Sequence, residues 1–340
     1  MSVDLSPYLA AVPDVVVARL RAAHRVLAVG HENPDADTLG AALAIVQLVE
    51  SLGGSADPVC TDPIPSLYDF LPGVERFRTD PDTTADHDLV VIVDCGSLER
   101  IGEVGARHAE LFGRLPRVII DHHASNAAAG EADWIDPRSA ATCEMVALLA
   151  RRLGTDLAAG DGALATSLMA GIVMDTATFA HPNATPRTLA VSAALVAAGA
   201  PLSDISRRLY RSKPDAQLKL FGRALERLEI AEGGRIVWSS VIEADYAETG
   251  AERSHTEGII DLLSQAEAAE VAILFKEAGP AETRISVRTR PGGVDATVLT
   301  GRFGGGGHAR AAGATVTAPL VQARPAVLAE ATRLVAAVDR

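Results

Sequence analysis

Short apolar runs that end abruptly in acidic or imidazole residues constrain this chain more than anything else in it. Val26-Leu27-Ala28-Val29 leads into Gly30-His31-Glu32-Asn33-Pro34-Asp35-Ala36-Asp37, Leu89-Val90-Val91-Ile92-Val93 ends at Asp94, and Val118-Ile119-Ile120 ends at Asp121-His122-His123. Runs of this length read as buried strands, and the helical patterns between them, such as 38–52, argue a parallel, doubly wound α/β sheet. Ligands bind such sheets beyond the carboxyl ends of the strands. His31, Asp35, Asp37, Asp94, Asp121, His122 and His123 therefore fall on one edge. Imidazole with carboxylate oxygens suits Mn²⁺, Fe²⁺, Zn²⁺ or Mg²⁺. Taken alone, the first turn is explained equally well as an acidic helix cap; repeated at three strand ends, polar residues are hard to explain that way. Pro34 frees the turn from helical spacing, so Asp35 and Asp37 point in different directions and can each face their own ion.

Helical patterns continue at 7–23, roughly 105–112, 141–153, 162–174 and 186–198. The fourth ends in Met174-Asp175-Thr176, and a carboxylate at a helix C-terminus opposes the dipole, which favours a cationic partner. A length of 340 residues suggests two domains, placed at 1–200 and 230–340 with a helical connection over 201–229. The second domain shows strands at 236–241, 271–275 and 283–289 and helices at 256–266, 295–302 and 324–338. Within it, Arg284-Ile285-Ser286-Val287-Arg288-Thr289-Arg290 alternates so that one face is positive. Gly304-Gly305-Gly306-Gly307-His308-Ala309-Arg310 permits positive φ and exposed N–H groups, an anion-binding nest rather than a plain connector.

A net charge of -13 argues against wrapping long nucleic acid, which needs a broad basic surface. It leaves room for a small phosphorylated ligand held by local arginines. Cys60, Cys95 and Cys143 are scattered without metal-type spacing, which fits reduced thiols in a cytoplasmic protein. No targeting pattern and no bilayer-length apolar run stands in the sequence, so a soluble protein with no membrane partner is expected.

Combined, His31-x-x-x-Asp35-x-Asp37, Asp94, Asp121-His122-His123, Asp175 and Gly304-Gly305-Gly306-Gly307-His308-x-x-Ala311-Ala312-Gly313 resemble the DHH phosphoesterase superfamily with its DHH-associated C-terminal domain. The resemblance covers essentially the whole chain. The two-domain layout is similar to the nanoRNase and 3′-phosphoadenosine-5′-phosphate (pAp) phosphatase branch, which includes enzymes of cyclic di-AMP and pApA. Departures are small: Ala36, Ala41 and Ala177 stand where that branch usually has Gly, Ser and Gly, and no ligand is lost.

The resemblance implies two divalent ions, usually Mn²⁺. His31, Asp35 and Asp94 would hold one; Asp37, Asp94, His122 and Asp175 would hold the other, with Asp94 bridging. Asp121 would orient a histidine and His123 would face the substrate phosphate. Arg288 and His308, assisted by Arg310 and the backbone of Gly305, Gly306 and Gly307, would grip substrate in a cleft between the domains. Expected partners are short RNA, pApA, cyclic di-AMP and pAp, with a homodimer implied by the resemblance alone. An inorganic pyrophosphatase, a RecJ-like exonuclease and a catalytically silent nucleotide-binding regulator stand as alternatives.

Overall fold

Five strands carry the first sheet: β1 (Arg25–Val29), β2 (Ser55–Val59), β3 (Leu89–Val93), β4 (Arg117–Asp121) and β5 (Asp133–Ile135). They lie in the order β2-β1-β3-β4-β5, every pair parallel. The strands read as unbroken apolar runs because both sheet faces are covered. Val26, Ala28, Val91, Val93, Val118 and Ile120 point into one core; Leu27, Val29, Val90, Ile92 and Ile119 point into the other. The computed structural model describes residues 3–124, 126 and 132–338.

The helices of this unit are α1 (Asp14–Ala22), α2 (Ala36–Ser51), α3 (Glu103–Arg107), α4 (Ala109–Arg114), α5 (Thr142–Leu153), α6 (Ala163–Thr176), α7 (Pro186–Ala197) and α8 (Leu202–Tyr210). Helices α2 and α6 are apolar almost all round and buried accordingly, as expected of helices inside a core. Their backbones approach closely at two glycines. A Cβ on Gly40 would lie 2.3 Å from the Ser167 carbonyl oxygen, and one on Gly171 would lie 2.4 Å from Asp37 Oδ1.

The second unit begins at Lys213. Its sheet runs β10-β11-β9-β8-β7-β6, built from β6 (Glu229–Ala231), β7 (Ile236–Val241), β8 (Val271–Gly279), β9 (Glu282–Thr289), β10 (Gly306–His308) and β11 (Ala311–Val316). Only β7 and β8 pair in parallel. Helices α12 (Ala296–Gly301) and α13 (Leu320–Val338) pack on Ile273, Phe275, Ile285 and Val287. Helices α9 (Asp215–Glu226), α10 (Glu243–Thr249) and α11 (Ile259–Leu263) pack on Val237, Val241, Ala272 and Leu274. The segment 201–229 thus holds α8 in the first unit and α9 in the second. Among the described residues no single helix is long and apolar enough to cross a membrane.

Several expected elements differ. The opening helix is split at Pro13 into a 3₁₀ turn and α1, because proline restricts the residue before it to extended backbone. The helix expected over 256–266 shrinks to α11, since Gly258 takes φ +87 just before it. The glycine run is no open nest: its later half is β10, paired antiparallel with β11, while Gly304 and Gly305 donate their N–H groups to Gly301 and Thr300 carbonyls at the end of α12. Those two amides terminate a helix and are already partnered.

Candidate metal centre

Strand order decides where the polar residues meet. In the order β2-β1-β3-β4-β5 the chain reverses direction of winding between β1 and β3, and ligands collect at such a switch point. His31 follows β1 and Asp94 follows β3, so the two stand side by side, with His31 Nε2 3.6 Å from Asp94 Oδ2. His31 donates from Nδ1 to the Glu32 carbonyl at 2.6 Å, leaving Nε2 free for a cation. That is how imidazole ligands are usually oriented.

Asp35 caps α2, its Oδ1 accepting the Asp37 and Thr38 amides at 2.9 and 3.0 Å. The cap and the candidate ligand are the same residue. Asp37 is fully buried and accepts two amides from the N-terminus of α5, Thr142 N–H on Oδ2 (2.7 Å) and Cys143 N–H on Oδ1 (2.8 Å). A helix N-terminus stabilises such an anion. Asp94 adopts φ 56, a left-handed conformation uncommon outside glycine and found where function holds it. Its Oδ2 accepts the Thr38 hydroxyl and its Oδ1 the Thr142 hydroxyl.

His122 completes the second side. Its Nε2 lies 3.1 Å from Asp175 Oδ2, 3.5 Å from Asp94 Oδ1 and 4.0 Å from Asp37 Oδ2, while Nδ1 faces the Ser139 carbonyl at 3.4 Å. Asp175 stands in the last turn of α6, and its carbonyl accepts hydrogen bonds from His181 Nδ1 and Asn183 Nδ2. Three overlapping donor sets result, His31/Asp35/Asp94, Asp37/His122/Asp175 and Asp94/His122/His123, each with ligand atoms within 4.8 Å of one another; the first two separate into distinct sides. Asp94 Oδ2 faces the first set and Oδ1 the second. Beside them His123 Nδ1 bonds Asp121 Oδ1 at 2.7 Å, and Asn126 holds the other Asp121 oxygen at 2.7 Å.

Burial and mutual repulsion set the electrostatics. Burial first, then the charges of Asp94 and Asp175, push Asp35 up to about 6 and Asp37 well above the usual carboxylate range. Burial also raises Asp175, with Asp94 adding to it. Asp94 is held below its ordinary value: burial opposes this, but the His31 hydrogen bond and the His122 and His31 charges outweigh it. His122 loses to burial but gains more from Asp175, Asp37 and Asp94, reaching about 10. Carboxylates driven toward protonation by burial and by each other are stabilised as anions by a divalent cation. The mixed oxygen and imidazole donor set fits one.

In the second unit, Arg288 of β9 pairs across with Ala311, and Ala311 pairs across with His308. The three share one face in a single row, about 9–10 Å from end to end at two strand spacings. Ala311, Gly306 and Gly313 make its floor low. Arg288 bonds Asp261 at 2.9 Å, His308 is exposed, and Arg310 turns its guanidinium onto the Arg290 and Val294 carbonyls.

The family model of the DHH N-terminal domain matches residues 25–172, and that of the DHHA1 domain matches 234–337. The bifunctional oligoribonuclease and PAP phosphatase NrnA of Thermus thermophilus is 31% identical over 286 residues, 84% of this chain and 82% of that one. The chain belongs to the DHH family. The NrnA of Bacillus subtilis is 26% identical over 84% of this chain and 87% of its own. A crystal structure of an exopolyphosphatase-related protein from Bacteroides fragilis shares the fold, with a TM-score of 0.84 at 18% identity over 97% of this chain and 99% of that one. This DHH protein is a metal-dependent phosphoester hydrolase of the phosphodiesterase and phosphatase type.

The structure also adds residues that the motifs did not single out. Thr38 follows Asp37 directly and so lay within view, whereas Thr142, Asn126 and Gly171 carry no local signal. Arg100 contributes its carbonyl, which accepts the Glu32 amide at 2.7 Å and ties the His31 loop down.

Proposed function

We propose that this DHH protein is a cytoplasmic two-metal hydrolase of short phosphorylated nucleotides: RNA of a few residues, pApA, pAp and cyclic di-AMP. The observation that supports this best is Asp94, whose two oxygens face two separate donor sets. His31, Asp35 and Asp94 would hold one ion and Asp37, Asp94, His122 and Asp175 the other, with Mn²⁺ the expected metal. Such ions, when bound, activate water at neutral pH and neutralise phosphoryl charge. The substrate class follows the relatives named oligoribonuclease and PAP phosphatase.

The protein's own groups then have defined tasks. Asp121 and Asn126 fix the His123 ring, so that its free nitrogen is held toward the phosphate and, protonated, stabilises charge developing there. Arg288 and His308 bind a substrate phosphate, Arg288 through its fork of donors. Gly306, where a Cβ would meet nothing within 4 Å, keeps the floor of that row low, whereas Gly305 and Gly307 close against β11 on the opposite face. Arg310 supports it from behind by holding the Arg290 and Val294 carbonyls. The net charge of -13 disfavours long polyanions, which weighs against a RecJ-like activity. The chain has only three lysines, Lys213, Lys219 and Lys276, a poor supply for a pyrophosphate clamp. A silent regulator is disfavoured because every motif carboxylate and imidazole is present.

The test is product-resolved hydrolysis with Mn²⁺ of pApA, a five-nucleotide RNA, pAp, cyclic di-AMP and pyrophosphate. Turnover of the first three to mononucleotides is expected. Turnover of pyrophosphate alone overturns the proposal, and inertness toward all five revives the regulator.

A further inference from the structure

We infer that Thr38 and Thr142 are positioning residues that assign each oxygen of Asp94 to one of two metal sites. The Thr38 hydroxyl donates to Asp94 Oδ2 at 2.7 Å and the Thr142 hydroxyl donates to Oδ1 at 3.0 Å. Both threonines are fully buried. Oδ2 is the oxygen that His31 Nε2 approaches, and Oδ1 is the one that His122 Nε2 approaches. A carboxylate oxygen offers two lone-pair directions. With one taken by a threonine, the other is left toward His31 on Oδ2 and toward His122 and His123 on Oδ1. The pair therefore stops the carboxylate from turning and from giving both oxygens to one ion.

Long-range hydroxyl bonds recur at Thr188, which donates to Glu144 Oε2, and at Thr332, which donates to Glu232 Oε1, but several other helical threonines use theirs locally. Thr166, Thr176 and Thr300 donate to carbonyls four residues back in their own helices, the common local bond of a helical threonine. Thr38 and Thr142 instead reach from the first turns of α2 and α5 to a residue 56 and 48 positions away. The same helix starts also hold Asp35 and Asp37: Thr38 N–H donates to Asp35 Oδ1, and Thr142 N–H donates to Asp37 Oδ2. Each threonine thus fixes two carboxylates at once, one through its amide and one through its hydroxyl. β-branching restricts its side-chain rotation and keeps the hydroxyl aimed.

The inference rests on the two-metal reading, and calorimetric titration of the chelator-stripped full chain with Mn²⁺ separates the two. The wild type is expected to bind two ions. Thr38→Val should weaken one site by about 10–100-fold, as loss of a partner that orients a ligand does, while the other site stays within a few-fold. Thr142→Val should weaken the other. Thr38→Ser and Thr142→Ser keep the hydroxyl and should bind nearly as the wild type does. In a double-mutant cycle, Thr38→Val should add nothing to His31→Ala but act in full on His122→Ala. Melting of the metal-free variants checks that they fold. Two tight sites in the wild type that neither valine variant disturbs would overturn the inference alone. So would equal weakening at both sites that serine does not rescue. A wild type that binds no divalent ion overturns the metal reading itself.

Discussion

The metal centre and the arginine face of the second unit handle charge in opposite ways. At the centre, Asp37 and Asp94 are essentially buried and each oxygen has a protein donor fixed in place. On the sheet of the second unit, the Arg288 side chain is 34% exposed and paired with Asp261, and His308 lies open. Holding ions strongly requires ligands whose orientation is settled before binding. A phosphate that must enter and leave is better met by cations resting on exposed partners, because an exposed ion pair contributes only about 0–1 kcal/mol. Exchanging Asp261 for a phosphate is then cheap. In the proposed function the rigid half serves chemistry and the labile half serves capture.

Four experiments test that contrast, beginning with the largest effect. Asp94→Ala should lower kcat on pApA by at least about a thousandfold, since one residue serves both donor sets; a loss of less than tenfold would break the assignment of a shared ligand. Next comes a pair of glycines. A methyl at Gly171 would meet Asp37 Oδ1 and Cys143 Sγ, both at 2.4 Å, whereas one at Gly306 meets nothing within 4 Å. Gly171→Ala should cost about 1–3 kcal/mol by overpacking and lower metal affinity, while Gly306→Ala leaves the melting temperature unchanged. Equal thermal shifts would erase the distinction between a packed and an open site. Third, Arg288→Ala should raise KM for pApA by about 10–100-fold, the worth of a charged hydrogen-bonding contact, with kcat little altered. An effect confined to kcat would move Arg288 out of a capture role.

The smallest effect is a slope with pH. Asp35 in the metal-free fold sits near 6, above its ordinary value of about 3.9, so the folded state keeps a proton that the unfolded chain has lost. Stability therefore falls as pH rises from about 4 to 6. His122 near 10 adds stability that is complete below about 6.5 and lost as pH climbs toward 10. In chelator, the melting temperature should decline from pH 5 to 9, and Mn²⁺, which competes with these protons, should flatten the decline. A melting temperature that does not change with pH in chelator would contradict the buried acidic cluster.

Much of the candidate centre is legible in the sequence. Apolar runs ending in Asp or His fix the donor chemistry and the sheet edge, because a strand buried on both faces can place polar groups only where it stops. The positive face of β9 is equally plain from its alternation. Three-residue strands such as β5 and β10 show no period, so the hairpin within the glycine run has no signal in the sequence.

Short-range pattern also cannot say which strand lies beside which. That β1 and β3 are neighbours, so that His31 meets Asp94, follows from how whole faces pack on α2, α5 and α6. The same packing brings the Thr142 hydroxyl to Asp94 and fits Gly171 against Asp37, while antiparallel pairing of β9, β11 and β10 in the second unit sets Arg288, Ala311 and His308 in one row. Residue type and local periodicity act over a few positions and choose the ligands. The distances between those ligands are set by contacts dozens of residues apart in sequence, which exist only once both sheet faces are buried.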